Sequence, residues 1–97
     1  MKEIRYTLVG LGNIGRNLLD VYLQRQAHIE ADYGLRFVLV GAADSSGAAM
    51  DPAGLDPARV RDLKLAKQGV ATYPSVGKRG MKAREMIQAV AAELLVG

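Results

Sequence analysis

Cysteine is missing from this chain, and with it go disulfides, thiolate metal sites and any cysteine nucleophile. Tryptophan is missing too, and one Phe with four Tyr leaves no row of rings on which nucleic-acid bases could stack. Histidine occurs once, as His28, so no converging set of metal ligands is expected and His28 reads as a surface residue of a helix. No apolar run approaches the roughly 18 residues that a membrane span requires. The charged start Met1-Lys2-Glu3-Ile4-Arg5 is unlike a secretory leader. These absences describe a soluble, cytoplasmic protein with no membrane partner and are compatible with a reducing compartment.

With 97 residues the chain makes at most one domain around one modest core, too little for a two-domain enzyme. Its net charge of +3 conceals an asymmetry. Residues 1–56 carry five Lys/Arg against seven Asp/Glu, whereas residues 57–97 carry eight against three. The basic set of the second part is Arg59, Arg61, Lys64, Lys67, Lys78, Arg79, Lys82 and Arg84. Clustering of that kind marks some polyanion-binding surfaces. Without interleaved aromatics or a recognition-helix motif it reads here as a solvated helix face, and no nucleic-acid partner is expected.

What the chain does have is glycine at telling positions. Gly10-Leu11-Gly12-Asn13-Ile14-Gly15 has the G-x-G-x-x-G spacing and lies between the β-prone run Arg5 to Val9 and a helical pattern in which Ile14, Leu18, Leu19, Tyr22 and Leu23 recur at three- and four-residue steps. The spacing by itself is a weak signal; the strand before it and the helix after it make it specific. Gly10 suits the turn out of the strand, Gly12 has no Cβ to block a phosphate, and Gly15 lets the helix pack close to the sheet. The first free amides of that helix, with its dipole, then face an anion. A dinucleotide pyrophosphate is the matching ligand, against the plainer alternative of a turn that binds nothing.

The rest of the chain reads as helix from Asn13 to about Asp32, a nearly unbroken apolar strand from Leu35 to Ala43, and a loop through Asp44-Ser45-Ser46-Gly47, Asp51-Pro52 and Gly54. Asp56-Pro57 predicts an N-cap and a proline in the first turn of a helix that runs to Gln68 and stops at Gly69. Residues 73–80 read as loop, Met81 to about Ala92 as a third helix, and Leu94-Leu95-Val96 as the opening of another buried strand. The fold class is therefore α/β, a Rossmann-type doubly wound parallel sheet of which residues 1–97 form the N-terminal part. A sheet left half-built is expected of a fragment of a longer protein.

Asp44 is the second candidate. An acidic residue at the end of the second strand accepts hydrogen bonds from the adenosine ribose and repels a 2′-phosphate, which favours NAD over NADP when Ser45 and Ser46, rather than arginine, follow. The alternative for Asp44 is an Asx-turn that closes the strand. No nucleophile is paired with a base anywhere in the sequence, so no catalytic residue is expected.

Gly10-Leu11-Gly12-Asn13-Ile14-Gly15-Arg16-Asn17-Leu18-Leu19, the long helix, and Val40-Gly41-Ala42-Ala43-Asp44-Ser45-Ser46-Gly47 together resemble the N-terminal end of homoserine dehydrogenases. The closing Glu93-Leu94-Leu95-Val96 is similar to the strand that precedes that family's active-site region. The resemblance implies a parent oxidoreductase that interconverts aspartate 4-semialdehyde and homoserine by nicotinamide hydride transfer, in threonine and methionine biosynthesis. It implies a homo-oligomer, with the substrate-binding domain and catalytic lysines absent from residues 1–97. Carried over by position, Gly10, Leu11, Gly12, Asn13, Ile14 and Gly15 match the phosphate loop, and Asp44 and Ser45 match the ribose contact. Several members of the family have arginine where this chain has Ser45. Lys64 and Lys67 stand near the phosphates by the same resemblance, with no role assigned to either. Three rival classes remain: a nucleotide-sensing Rossmann domain without catalysis, another amino-acid-pathway reductase, and a polyanion-binding module built on the basic segment.

Overall fold

In a computed structural model, which describes residues 2–10, 13–90 and 92–96, the chain forms one five-stranded sheet with helices on both faces. Strand β1 (Lys2–Val9) leads into helix α1 (Asn13–Tyr33) and returns as β2 (Leu35–Asp44). Then follow β3 (Gly47–Met50), α2 (Pro57–Leu65), a single 3-10 turn (Val70–Thr72), β4 (Gly77–Arg79), α3 (Ala83–Ala89) and β5 (Leu94–Val96). The strand order is β4-β3-β2-β1-β5. β1 lies between β2 and β5 and is parallel to both, so strands are added first on one side of it and then on the other. In open α/β sheets that reversal opens a crevice at the carboxyl ends of the strands.

Two segments read from sequence as loops contain strands. Gly47–Met50 turns back antiparallel on β2, and Gly77–Arg79 pairs antiparallel with β3. Asp44-Ser45-Ser46-Gly47 is thus a hairpin turn as well as the end of a parallel strand, and the sheet is mixed, with a parallel core of three strands. Neither added strand has the β-branched or aromatic content that marks strands locally. Both are held by pairing with residues distant in sequence.

The sheet separates two cores. On one face Tyr6, Leu8, Leu39, Ala42 and Ala49 pack with Leu19 of α1, Val60 of α2 and Val70 of the 3-10 turn. On the other face Val40, Ala43 and Ala48 pack with Met86 of α3 and with Val90. Leu19 is fully buried, which stabilises the fold by about 1.5–3 kcal/mol relative to leaving it exposed. The adjacent Leu18 and Val21 stay exposed on the flank of α1 nearest Leu94.

A register shift in β2 decides which way its end points. Tyr6 pairs with Leu39 but Thr7 pairs with Gly41, so one residue of β2 is inserted there. Leu39 faces the α1–α2 core and Val40 the α3 core, yet Ala42 faces α1–α2 and Ala43 faces α3. Strict alternation from Leu39 would have sent residue 44 to the α3 side. The bulge re-aims Asp44 toward α2.

α1 is clamped to β2 by Tyr22, whose hydroxyl donates to the Phe37 carbonyl at 3.0 Å and accepts from the Phe37 amide at 3.3 Å. The two rings meet edge to face at 6.0 Å between centroids. Tyr22→Phe keeps the ring and removes both hydrogen bonds, so a loss of about 1 kcal/mol is expected. It is read as a lower urea midpoint at unchanged slope, and an unchanged midpoint would refute the clamp.

α2 begins as expected: the Asp56 side chain accepts from the Ala58 amide at 3.0 Å and Pro57 occupies the first turn. It ends earlier than expected, at Leu65 rather than Gln68. The Gln68 amide donates to the Leu63 carbonyl at 2.8 Å and the Lys67 amide to the Lys64 carbonyl at 3.0 Å. With Lys67 at φ 59°, this is a Schellman end that uses lysine where glycine is usual. α3 is likewise shorter than its sequence pattern, Ala83–Ala89.

Candidate functional site

β1 and β2 finish side by side. The Gly10 amide donates to the Ala43 carbonyl at 3.1 Å, so Gly10 stands next to the last residues of β2. Gly10 has φ 76°, the left-handed conformation that a side chain disfavours, and it turns the chain out of β1. Leu11 and Gly12 lie outside the described residues. Asn13, Ile14 and Gly15 open α1, and no acidic residue occupies that first turn. The end of a helix dipole with no carboxylate of its own favours an external anion.

Asp44, the other candidate, is engaged within the protein. Its Oδ1 accepts from the Ser46 amide at 2.8 Å and from Ser46 Oγ at 2.6 Å. Its Oδ2 accepts from Lys64 Nζ at 2.7 Å and from the Val70 amide at 2.9 Å. The Asx-turn weighed from sequence is present, and α2 and the 3-10 turn are tied to the same carboxylate. Four donors use the four acceptor positions of a carboxylate. The Asp44 side chain is 6% exposed and that of Lys64 19%. Burial alone pushes the Asp44 carboxyl up, but Lys64, Ser46 and the two amides together hold it down at about 2. Asp44 is therefore an ionised, neutralised anchor in this arrangement, while Ser45 is the exposed side chain at the turn.

Sequence reading brought Gly10, Asp44 and Ser45 to the same strand ends, and there they lie. It did not find the partners of Asp44. Ser46 had a local signal, since Asx-turns join a carboxylate to the amide two residues on. Lys64 and Val70 are 20 and 26 residues away from Asp44 and had none. Ser46 Oγ also accepts from the Ala71 amide at 3.2 Å, which joins the hairpin turn to the 3-10 turn a second time.

Of the other candidates, His28 is exposed on α1. Six of the eight basic residues of the second part are exposed. Arg61 is half-buried against Asp20 and Asp62, and Lys64 is half-buried against Asp44. Among the described residues no three His, Cys, Asp or Glu side chains converge as metal ligands, and no helix is long and apolar enough to cross a membrane.

No family model matches the chain. It is 33% identical over 89 residues to the homoserine dehydrogenase of Methanocaldococcus jannaschii, covering 92% of this chain and 26% of that protein. A 58-residue stretch is 38% identical to the bifunctional aspartokinase/homoserine dehydrogenase 2 of Escherichia coli, covering 60% of this chain and 7% of that one. Among solved structures, the homoserine dehydrogenase of Thermoplasma acidophilum superposes with a TM-score of 0.71 at 28% identity, over 97% of this chain and 26% of the other. A hyperthermophilic archaeal homoserine dehydrogenase in complex with NADPH superposes with a TM-score of 0.76 over 96% of this chain and 27% of the other, and at 16% identity it shows the shared fold. The chain spans about a quarter of the length of the homoserine dehydrogenase of Methanocaldococcus jannaschii.

Proposed function

Because the chain matches the N-terminal segment of homoserine dehydrogenases in sequence and in fold, we propose that it is the part of such an oxidoreductase that holds the adenosine and pyrophosphate half of a nicotinamide dinucleotide. The observation that carries this reading is the meeting of Gly10, in its left-handed turn, with the acid-free start of α1 at the carboxyl ends of β1 and β2. Those features fit a pyrophosphate: a turn without a side chain, free helix amides and a positive dipole end.

Gly10 to Gly15 cradle the phosphates in this reading, and Ser45 offers its hydroxyl to the ribose. Asp44 holds the strand end in shape. When bound, the nicotinamide supplies the hydride chemistry, and the protein has to bind, orient and shield it. Residues 1–97 serve the first of these tasks. Interconversion of aspartate 4-semialdehyde and homoserine, in the cytoplasm and within a homo-oligomer, is the activity proposed for a protein of the relatives' full length.

Isothermal titration of the chain with NAD and NADP at matched salt tests the reading. Binding is expected for the native sequence, with affinity reduced roughly tenfold or more in Gly12→Val, where a branched side chain meets the phosphate. A folded chain that binds neither dinucleotide would refute it.

A further inference from the structure

We draw no further inference here: the strongest candidate, the apolar groove between the exposed flank of α1 and β5, lined by Tyr6, Leu18, Val21, Tyr22, Phe37 and Leu94, carries none because nothing in the structure shows what covers it.

Discussion

Asp44→Ala is expected to lower the unfolding free energy by about 3–5 kcal/mol, the scale on which removing one partner of a buried ion pair destabilises a protein. The cause is what remains behind. Lys64 Nζ, the Val70 amide, the Ser46 amide and the Ser46 hydroxyl all lose their acceptor at once, and the two amides are fixed by the backbone and cannot simply turn to water. A domain of this size has roughly 5–15 kcal/mol in total, so the loss is a large part of it. Urea unfolding followed by far-UV circular dichroism reads it as a fall in the midpoint, and a fall equivalent to less than about 1 kcal/mol would show that the network carries little.

The same group gives the prediction a pH signature. The Asp44 carboxyl is held at about 2 in the folded protein, below its ordinary value of 3.8. A carboxyl depressed by folding stabilises the protein above its unfolded pKa, and that contribution is lost as pH falls through the folded value. The unfolding free energy should therefore drop by about 2 kcal/mol between pH 4 and pH 2 on account of Asp44. Other carboxylates titrate in the same window, so the difference between wild type and Asp44→Ala isolates the effect. The two curves should converge toward pH 2, and curves that stay parallel would assign the stability to packing rather than to the charge.

What the sequence made legible is what neighbouring residues decide among themselves. The strand–glycine–helix order at residues 5–19, the apolar run of β2 and the Asp56-Pro57 cap are written in local patterns, and the structure has them. The hairpin of β3 was hidden because Gly47-Ala48-Ala49-Met50 lacks the β-branched and aromatic residues that mark a strand locally, although both of its alanines are fully buried in the sheet. The end of α2 was misplaced because Lys67 takes a conformation usually assigned to glycine, which made Gly69 look like the stop. The direction of Asp44 depends on an inserted residue in β2 that no local signal marks. That one residue separates a carboxylate facing α3 from one locked against Lys64, so the candidate position was legible and its chemistry was not.

Gly47→Ala is expected to be about as damaging as the loss of Asp44, for a reason that links the hairpin to the site. Gly47 has φ 146°, a conformation closed to other residues without strain of about 1–3 kcal/mol. A Cβ there would run into the Lys78 carbonyl oxygen, with Gly80 N at 2.8 Å and Arg79 Cα at 3.0 Å. All of these are backbone of β4 and the turn after it, so no side chain can move aside. β4 must separate from β3, breaking the pairs Gly47–Arg79 and Ala48–Lys78 and the hydrogen bond from the Gly80 amide to the Ser46 carbonyl. Ser46 also donates its hydroxyl to Asp44 and receives the Ala71 amide, so the damage reaches the strand end on which the proposed dinucleotide site rests. A total loss of roughly 3 kcal/mol or more is expected, with the strain and the lost pairing adding. Amide hydrogen exchange separates this from a general loosening. In Gly47→Ala the amides of Gly80, Ala71 and Val70 should exchange much faster than in the wild type, while those of β1 should slow or quicken only with global stability. Wild-type protection at Gly80 in the variant would show that β4 accommodates the methyl group, and the coupling of hairpin to site would then be wrong.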